Sequence, residues 1–90
     1  MITFEWDAKK ASTNKKKHGV TFEEARSIFF DQNAKLIDDP EHSLDEERFI
    51  ILGISSLSRL LVVCHCYREK NNVIRIISAR KATRNESKQY

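Results

Sequence analysis

The second half of the chain is a succession of β-type segments separated by short polar turns. Residues 48–54, 59–68 and 73–78 are rich in β-branched and aliphatic side chains, and turns at 55–58 and 69–72 separate them. Turns this short join antiparallel neighbours, because a parallel connection needs a dozen or more residues. The sequence therefore predicts an antiparallel meander at the centre of the fold.

The beginning of the chain predicts a strand followed by a helix. Residues 2–6 combine β-branched and aromatic side chains, as short strands do. Asp7 is a suitable N-cap for a helix over residues 8–18, and Gly19 stands where a left-handed residue ends a helix. We expect this helix to be polar, because its clear apolar residues are only alanines.

The middle of the chain predicts a second helix and a further strand. Thr21 and Glu24 have the spacing of a capping box, which favours a helix running to about residue 30. Residues 34–38 are typical of a strand, Asp39 and Pro40 of a turn, and residues 42–47 of an exposed acidic connection.

These segments predict one α+β domain over residues 1–90. Its antiparallel sheet ends in the strand meander, with two N-terminal helices and one C-terminal helix. The last helix is expected from about Ala79, and Thr83 and Glu86 can restart a turn near the end.

A chain of 90 residues has a thin core, so its chemistry should lie on an open surface. It has neither a signal peptide nor an apolar run approaching about 20 residues, so we expect a cytoplasmic protein.

Charge is unevenly distributed along the sequence. The net charge is +3, but residues 21–47 carry nine acidic against two basic residues, and residues 48–90 carry nine basic against two acidic. Six of the seven arginines fall in the basic part, and the guanidinium fork suits phosphate. This asymmetry favours an anionic partner such as a nucleic acid, although a solvated charged surface gives the same pattern.

The only two cysteines flank a histidine in a predicted strand. Cys64 and Cys66 point the same way about 6.5 to 7 Å apart, too far for a disulfide. His65 points to the opposite face, and no second cluster supplies the ligands of a tetrahedral metal site. We therefore interpret both thiols as small buried hydrophobes, and we expect no metal or other cofactor.

One stripe of the first helix collects polar side chains. Lys10, Asn14, Lys17 and His18 recur at helical spacing. Such a stripe can face a phosphate chain, and it can equally be the solvated side of a surface helix.

The meander places a set of basic residues on one sheet face if its turns close tightly. With Ile54 opposite Arg59, His65 lies opposite Arg48; with Arg68 opposite Val73, His65 lies opposite Ile76 and Leu61 opposite Arg80. One face would then carry Arg48, His65, Tyr67 and Arg80. The other face would carry the better core, formed by Phe49, Ile51, Val62, Cys64, Cys66 and Ile77.

This face has the groups that metal-free RNA cleavage requires. Attack of a ribose 2′-hydroxyl on its neighbouring phosphate needs a base, an acid and cations that stabilise the phosphoryl oxygens. His65 can transfer the proton, while Arg48 and Arg80 can hold phosphate. We predict these three as catalytic residues, and for RNA binding we predict Lys10, Lys17, His18, Tyr67, Arg68 and Lys81. A packed strand histidine and arginines in surface ion pairs are the structural alternatives.

The sequence resembles the BrnT family of toxins from bacterial type II toxin-antitoxin systems. The resemblance begins with Phe4-Glu5-Trp6-Asp7, Lys10, Asn14, Lys17-His18-Gly19-Val20 and residues 22–25. It continues with Glu47-Arg48, residues 59–63, Arg68, residues 74–82, Glu86 and Tyr90. It departs from the family at Gln32, where relatives often have proline, and at residues 64–66, where many have an apolar and aromatic strand.

The resemblance implies a RelE-like fold and growth arrest through RNA cleavage and loss of translation. It also implies neutralisation by a BrnA-type antitoxin, whose DNA-binding part would bring the complex to its operator. The second interpretation open from sequence is a non-catalytic RNA-binding or partner-binding module, because basic patches serve binding as well as cleavage.

Overall fold

The computed structural model describes residues 2–37 and 47–90, which form one sheet flanked by helices. The elements are β1 (Thr3–Glu5), α1 (Ala8–His18), α2 (Phe22–Ser27), β2 (Lys35–Ile37), β3 (Phe49–Ile54), β4 (Leu60–Arg68), β5 (Val73–Lys81) and α3 (Arg84–Ser87). A 3-10 turn at Ile28–Phe30 continues α2. The predicted turn at Asp39 and Pro40, Asp38 at the end of the predicted strand, and residues 42–46 of the acidic connection lie outside the described residues.

The N-terminal helices begin where their capping residues predict. The Asp7 carboxylate accepts hydrogen bonds from two N–H groups of the first turn, at 2.8 and 3.0 Å, and Gly19 ends α1 with a left-handed φ of 69°. The Thr21 hydroxyl accepts a bond from the Glu24 N–H at 3.0 Å. The expected capping box is incomplete, because the Glu24 side chain turns toward Arg59 instead.

The sheet is mixed rather than antiparallel, which corrects the sequence prediction. Its strand order is β1-β5-β4-β3-β2, and β1 pairs in parallel with β5 while the other neighbours are antiparallel. The meander itself is confirmed. The parallel pair joins residues about seventy positions apart, such as Thr3 and Val73, so no local turn signal could reveal it.

The register predicted between β3 and β4 is wrong by one residue. Ile54 pairs with Leu60, not with Arg59, and His65 therefore lies opposite Phe49. The turn is longer than expected because Ser55 N–H bonds to the Arg59 carbonyl at 2.8 Å. Since side chains alternate along a strand, this shift places Phe49 on the same face as His65.

A β-bulge separates Arg80 from the face of His65. His65 pairs with Ile76 as predicted, but Cys64 pairs with Ser78, which leaves Ile77 as an extra residue in β5. Beyond the bulge, Arg80 lies opposite Val62 rather than Leu61.

The predicted division of residues between the two sheet faces is therefore correct for β4 and wrong for β3 and for Arg80. His65 and Tyr67 share their face with Phe49 and Ile51, whereas Arg80 lies on the other face.

The C-terminal helix is shorter and starts later than predicted. Ala79 is still in β5, which continues to Lys81, and α3 begins at Arg84. The restart at Thr83 and Glu86 is confirmed, because the two residues form a complete capping box.

Each sheet face carries an apolar cluster. The helices cover a cluster of Val20, Phe22, Ala25, Ile28, Leu61, Val63, Ile76 and Ala79. The opposite face carries Ile50, Leu52 and Val62, and the C-terminal residues Ala82 and Tyr90 pack against it. Tyr90 also donates its hydroxyl proton to Asp31 at 2.5 Å, which holds the chain end across this face.

Candidate nucleic-acid interface

A groove of about 300 Å³ runs between α1 and β5, and basic side chains line it. Three of the residues predicted to bind RNA, Lys10, Lys17 and His18, meet there. The remaining lining residues are Lys9, Thr13, Asn14, Ile77 and Ser78. The groove thus combines cations with hydroxyl donors, the groups that proteins use to contact phosphate.

The basic character of this groove follows from the sequence of α1. The helix contains no acidic residue, and its last turn carries Lys15, Lys16, Lys17 and His18. Cations at a helix C-terminus interact favourably with the helix dipole, so the lysines do not oppose folding of α1. The helix can therefore present a concentrated positive charge.

Asn14 is a structural residue rather than part of the exposed stripe. Its amide nitrogen donates to the carbonyls of Ala79 at 2.8 Å and Val20 at 3.0 Å, and its oxygen accepts from Ala79 N–H at 3.1 Å. Asn14 is buried. It fixes α1 against β5 just past the bulge and so sets the position of the groove.

His65 lies inside an aromatic cluster and is 0% exposed. Its ring centroid is 4.8 Å from Phe29, 6.1 Å from Phe49 and 5.3 Å from Tyr67. Burial lowers the pKa of the imidazole, which favours the neutral ring. One ring nitrogen is 3.3 Å from the Val63 carbonyl and the other 3.4 Å from the Tyr67 hydroxyl.

The three residues predicted as catalytic do not meet on one face. Arg80 lies across the sheet from His65 and forms two hydrogen bonds with the Glu86 carboxylate, at 2.7 and 2.8 Å. This pairing is the first cause of the lowered pKa of Glu86, which is about 2. Arg48 immediately precedes β3 and is half-buried. The expected sheet-face constellation is therefore absent from this arrangement.

The other predicted RNA-binding residues are dispersed. Tyr67 and Arg68 are neighbours in β4 and project from opposite faces. The Arg68 guanidinium lies 3.8 Å from Glu5, which Arg75 contacts more closely at 2.7 Å. Lys81 lies on the helix side of β5, where its charge contributes to the lowered pKa of Glu24.

Sequence reasoning missed a buried ion pair that joins α2 to the β3–β4 turn. Glu24 forms a salt bridge with Arg59 and accepts a hydrogen bond from the Ser55 hydroxyl at 2.7 Å. Arg59 also donates to the Gly19 carbonyl at 3.1 Å. Hydrogen bonding to Arg59 is the main cause that lowers the pKa of Glu24. One feature of the sequence could have indicated this ion pair. Glu24 stands four residues before the apolar Ile28, so its carboxylate lies on the side of α2 that packs against the core.

Within the described ranges, no group of three or more His, Cys, Asp or Glu side chains could hold a metal ion. Cys64 is half-buried and Cys66 buried, both on the sheet face opposite His65. None of the helices in those ranges is long and apolar enough to cross a membrane.

Comparison with known proteins identifies the family of this chain. A family model described as the ribonuclease toxin BrnT of type II toxin-antitoxin systems matches residues 6–86. The chain therefore belongs to the BrnT toxin family. The 1.1 Å crystal structure of the Brucella abortus ribonuclease toxin BrnT has the same fold, with a TM-score of 0.70 and 21% sequence identity. That match covers 93% of this chain and all of the Brucella chain. None of the curated proteins matches the chain.

Proposed function

We propose that this chain is an endoribonuclease toxin, formed by a single domain over residues 1–90, that binds RNA along the groove beside α1. Membership of the BrnT family supports the ribonuclease activity. The observation that carries the RNA site is the clustering of Lys10, Lys17 and His18 in one groove. A RelE-like relationship of the fold remains a prediction from the family resemblance.

The proposed reaction is attack of a ribose 2′-hydroxyl on the adjacent phosphate, without a metal ion. Lys10 and Lys17 contact the phosphoryl oxygens and stabilise their developing charge. His18 accepts the proton of the attacking 2′-hydroxyl, since imidazole is the side chain best suited to this role near neutral pH. The bond between phosphorus and the 5′-oxygen breaks, and the leaving 5′-oxygen takes a proton from solvent. The products are a cyclic phosphate and a 5′-hydroxyl.

His18 replaces His65 in this proposal because of solvent access. His18 is partly exposed in the groove, whereas His65 is enclosed by aromatic rings. His65, Arg48 and Arg80 remain the rival set of catalytic residues. Catalysis by this set requires that the aromatic cluster around His65 open and that the ion pair between Arg80 and Glu86 break.

The first experiment measures cleavage of ribosome-free RNA by the purified chain in excess EDTA. We expect cleavage to persist, with the two product ends given above. Activity that EDTA abolishes and a divalent ion restores would contradict the metal-free mechanism. Tight RNA binding without any cleavage would favour the non-catalytic binding module.

Paired histidine variants distinguish the two catalytic sets. His18→Ala should lower the rate by about 100-fold, the usual scale for losing a general acid or base. His65→Phe keeps a ring in the aromatic cluster and should retain most of the activity. A large loss of activity in His65→Phe, with little loss in His18→Ala, would assign the catalytic role to His65 instead.

Growth arrest through lost translation, and its relief by a BrnA-type antitoxin, complete the proposed function. Type II systems pair a toxin with a protein antitoxin, and the chain should reach operator DNA only through that partner. Induced expression with and without the neighbouring gene tests this, scored by growth and RNA integrity. Harmless expression at high level, with no copurifying partner, would contradict it.

A further inference from the structure

A second pocket, of about 400 Å³, opens beside the aromatic cluster and has no part in the proposed cleavage step. Glu47, Phe49, Tyr67 and Asn71 line it. Its volume lies in the lower part of the range for small-molecule sites. We propose that this pocket binds an unpaired guanine base of the RNA. The inference rests on the proposed function, because it names the base that the substrate RNA presents.

Tyr67 supplies a supported aromatic surface for stacking. Its ring packs edge-on against Phe49 at 5.3 Å and against His65 at 5.3 Å. The residue nevertheless remains 37% exposed. Single-stranded RNA is commonly bound by stacking its bases on aromatic side chains, and a ring already held by neighbours loses little freedom on binding.

The polar lining selects guanine among the four bases. The carboxylate of Glu47 offers two adjacent acceptors and no donor. Guanine presents two adjacent donors, N1–H and the N2 amino group, on its Watson–Crick edge. Each of the other bases presents a single donor group there. The Asn71 amide supplies a donor for the neighbouring O6 atom of guanine.

The β4–β5 turn presents Asn71 at this pocket. Glu69, Lys70 and Asn71 all have left-handed backbones, with φ values of 50°, 56° and 72°. Asparagine tolerates this conformation better than most residues with a side chain. Asn71 can therefore combine a tight turn with an amide group at the pocket.

Titration of the full chain with guanosine, adenosine, cytidine and uridine 3′-monophosphates tests the pocket without relying on cleavage. We expect the guanosine nucleotide to bind about 10-fold more tightly than the others, as a two-point base contact implies. Nuclear magnetic resonance shifts should concentrate on Tyr67 and Asn71. Equal affinities for all four nucleotides, or shifts confined to the α1 groove, would overturn the inference.

Two substitutions separate base selection from stacking. Glu47→Gln should abolish the guanine preference, because an amide keeps only one acceptor. The matched control Glu23→Gln, at an exposed position of α2, should retain the preference. Tyr67→Ala should weaken the binding of all four nucleotides about 10-fold, and Tyr67→Phe should bind them with the wild-type affinity. A guanine preference that survives Glu47→Gln would refute the proposed contact.

The results also separate this inference from the proposed function. Guanine binding by a chain that does not cleave RNA would contradict the ribonuclease proposal and support the pocket. Cleavage with no preference for guanine at any position near the cut would support the ribonuclease proposal and contradict the guanine pocket.

Discussion

The side-chain amide of Asn14 and the backbone of Ala79 exchange two hydrogen bonds, at 2.8 and 3.1 Å. Strand β1 pairs with β5 only at Val73, Ile74 and Arg75. Farther along β5, the Asn14 amide takes the place of a neighbouring strand and bonds to the backbone of Ala79. A polar residue in a lysine-rich helix thus becomes the anchor of that helix. The groove geometry depends on this contact, since Asn14 also lines the groove.

Asn14→Ala should destabilise the fold strongly. The substitution leaves the N–H and C=O of buried Ala79 without the amide, at a cost of about 2 to 3 kcal/mol in the free energy of unfolding. Urea denaturation measures the loss. Ser12→Ala, at an exposed position of the same helix, is the control and should change stability by less than about 0.5 kcal/mol. Equal stability of the two variants would show that the amide contact is dispensable.

Glu86→Gln should reduce stability more near neutral pH than in acid. The folded-state pKa of Glu86 is about 2, below its ordinary value of 4.5, first because of Arg80. A lowered carboxyl pKa stabilises the fold above pH 4.5, and this contribution disappears as the pH falls toward 2. We expect a deficit of about 1 to 2 kcal/mol at pH 7, reduced by solvent screening of the pair. The urea midpoints of the wild-type chain and of Glu86→Gln should lie closer together at pH 3 than at pH 7. A deficit that does not change with pH would contradict the linkage.

His65 should make stability fall as the pH drops below neutrality. Burial places its folded-state pKa below the ordinary 6.5, so the unfolded chain takes up the proton first and stability declines through pH 6.5. His65→Phe removes this dependence, because phenylalanine does not titrate. Denaturation of the wild-type chain and of His65→Phe at pH 7.5 and pH 5.5 tests the difference. A wild-type stability that is flat across this interval would argue against a buried neutral His65.

Lys10→Ala and Lys17→Ala should each weaken RNA binding and its dependence on salt. Removing one phosphate contact lowers the slope of log affinity against log salt by about 0.7 for single-stranded RNA. Fluorescence polarisation over a range of salt concentrations measures the slope. Lys35→Ala, in β2 rather than in the groove, is the control. If Lys35→Ala changes the slope as much as the groove variants do, RNA does not bind specifically beside α1.

Local chemistry accounts for the parts of the fold that the sequence predicted well. Asp7 and Gly19 define the limits of α1 through backbone groups within a few residues of themselves. The pairing of His65 with Ile76 was likewise predictable, because it depends on the adjacent β4–β5 turn. By contrast, the turn at Ser55 is one residue longer than expected, and that single residue reversed the faces assigned to β3.

The candidate site was predictable only in part, for the same reason. Lys10, Lys17 and His18 share a helix, so their spacing alone brings them to one groove. His65 and Arg80 come from different strands, and the bulge at Ile77 places them on opposite faces. Neither the bulge nor the burial of His65 has a signature in the sequence that distinguishes it from a regular strand.

The sequence by itself determined the limits of α1, the meander and the basic stripe of α1, because these depend on caps, turns and periodicities within a few residues. The tertiary structure decided which face each charged residue occupies. It also decided that β1 lies parallel to β5 and that Asn14 bonds to Ala79 rather than to a ligand. Those outcomes depend on contacts between distant segments, where a shift of one residue exchanges the buried face of a strand for the exposed one.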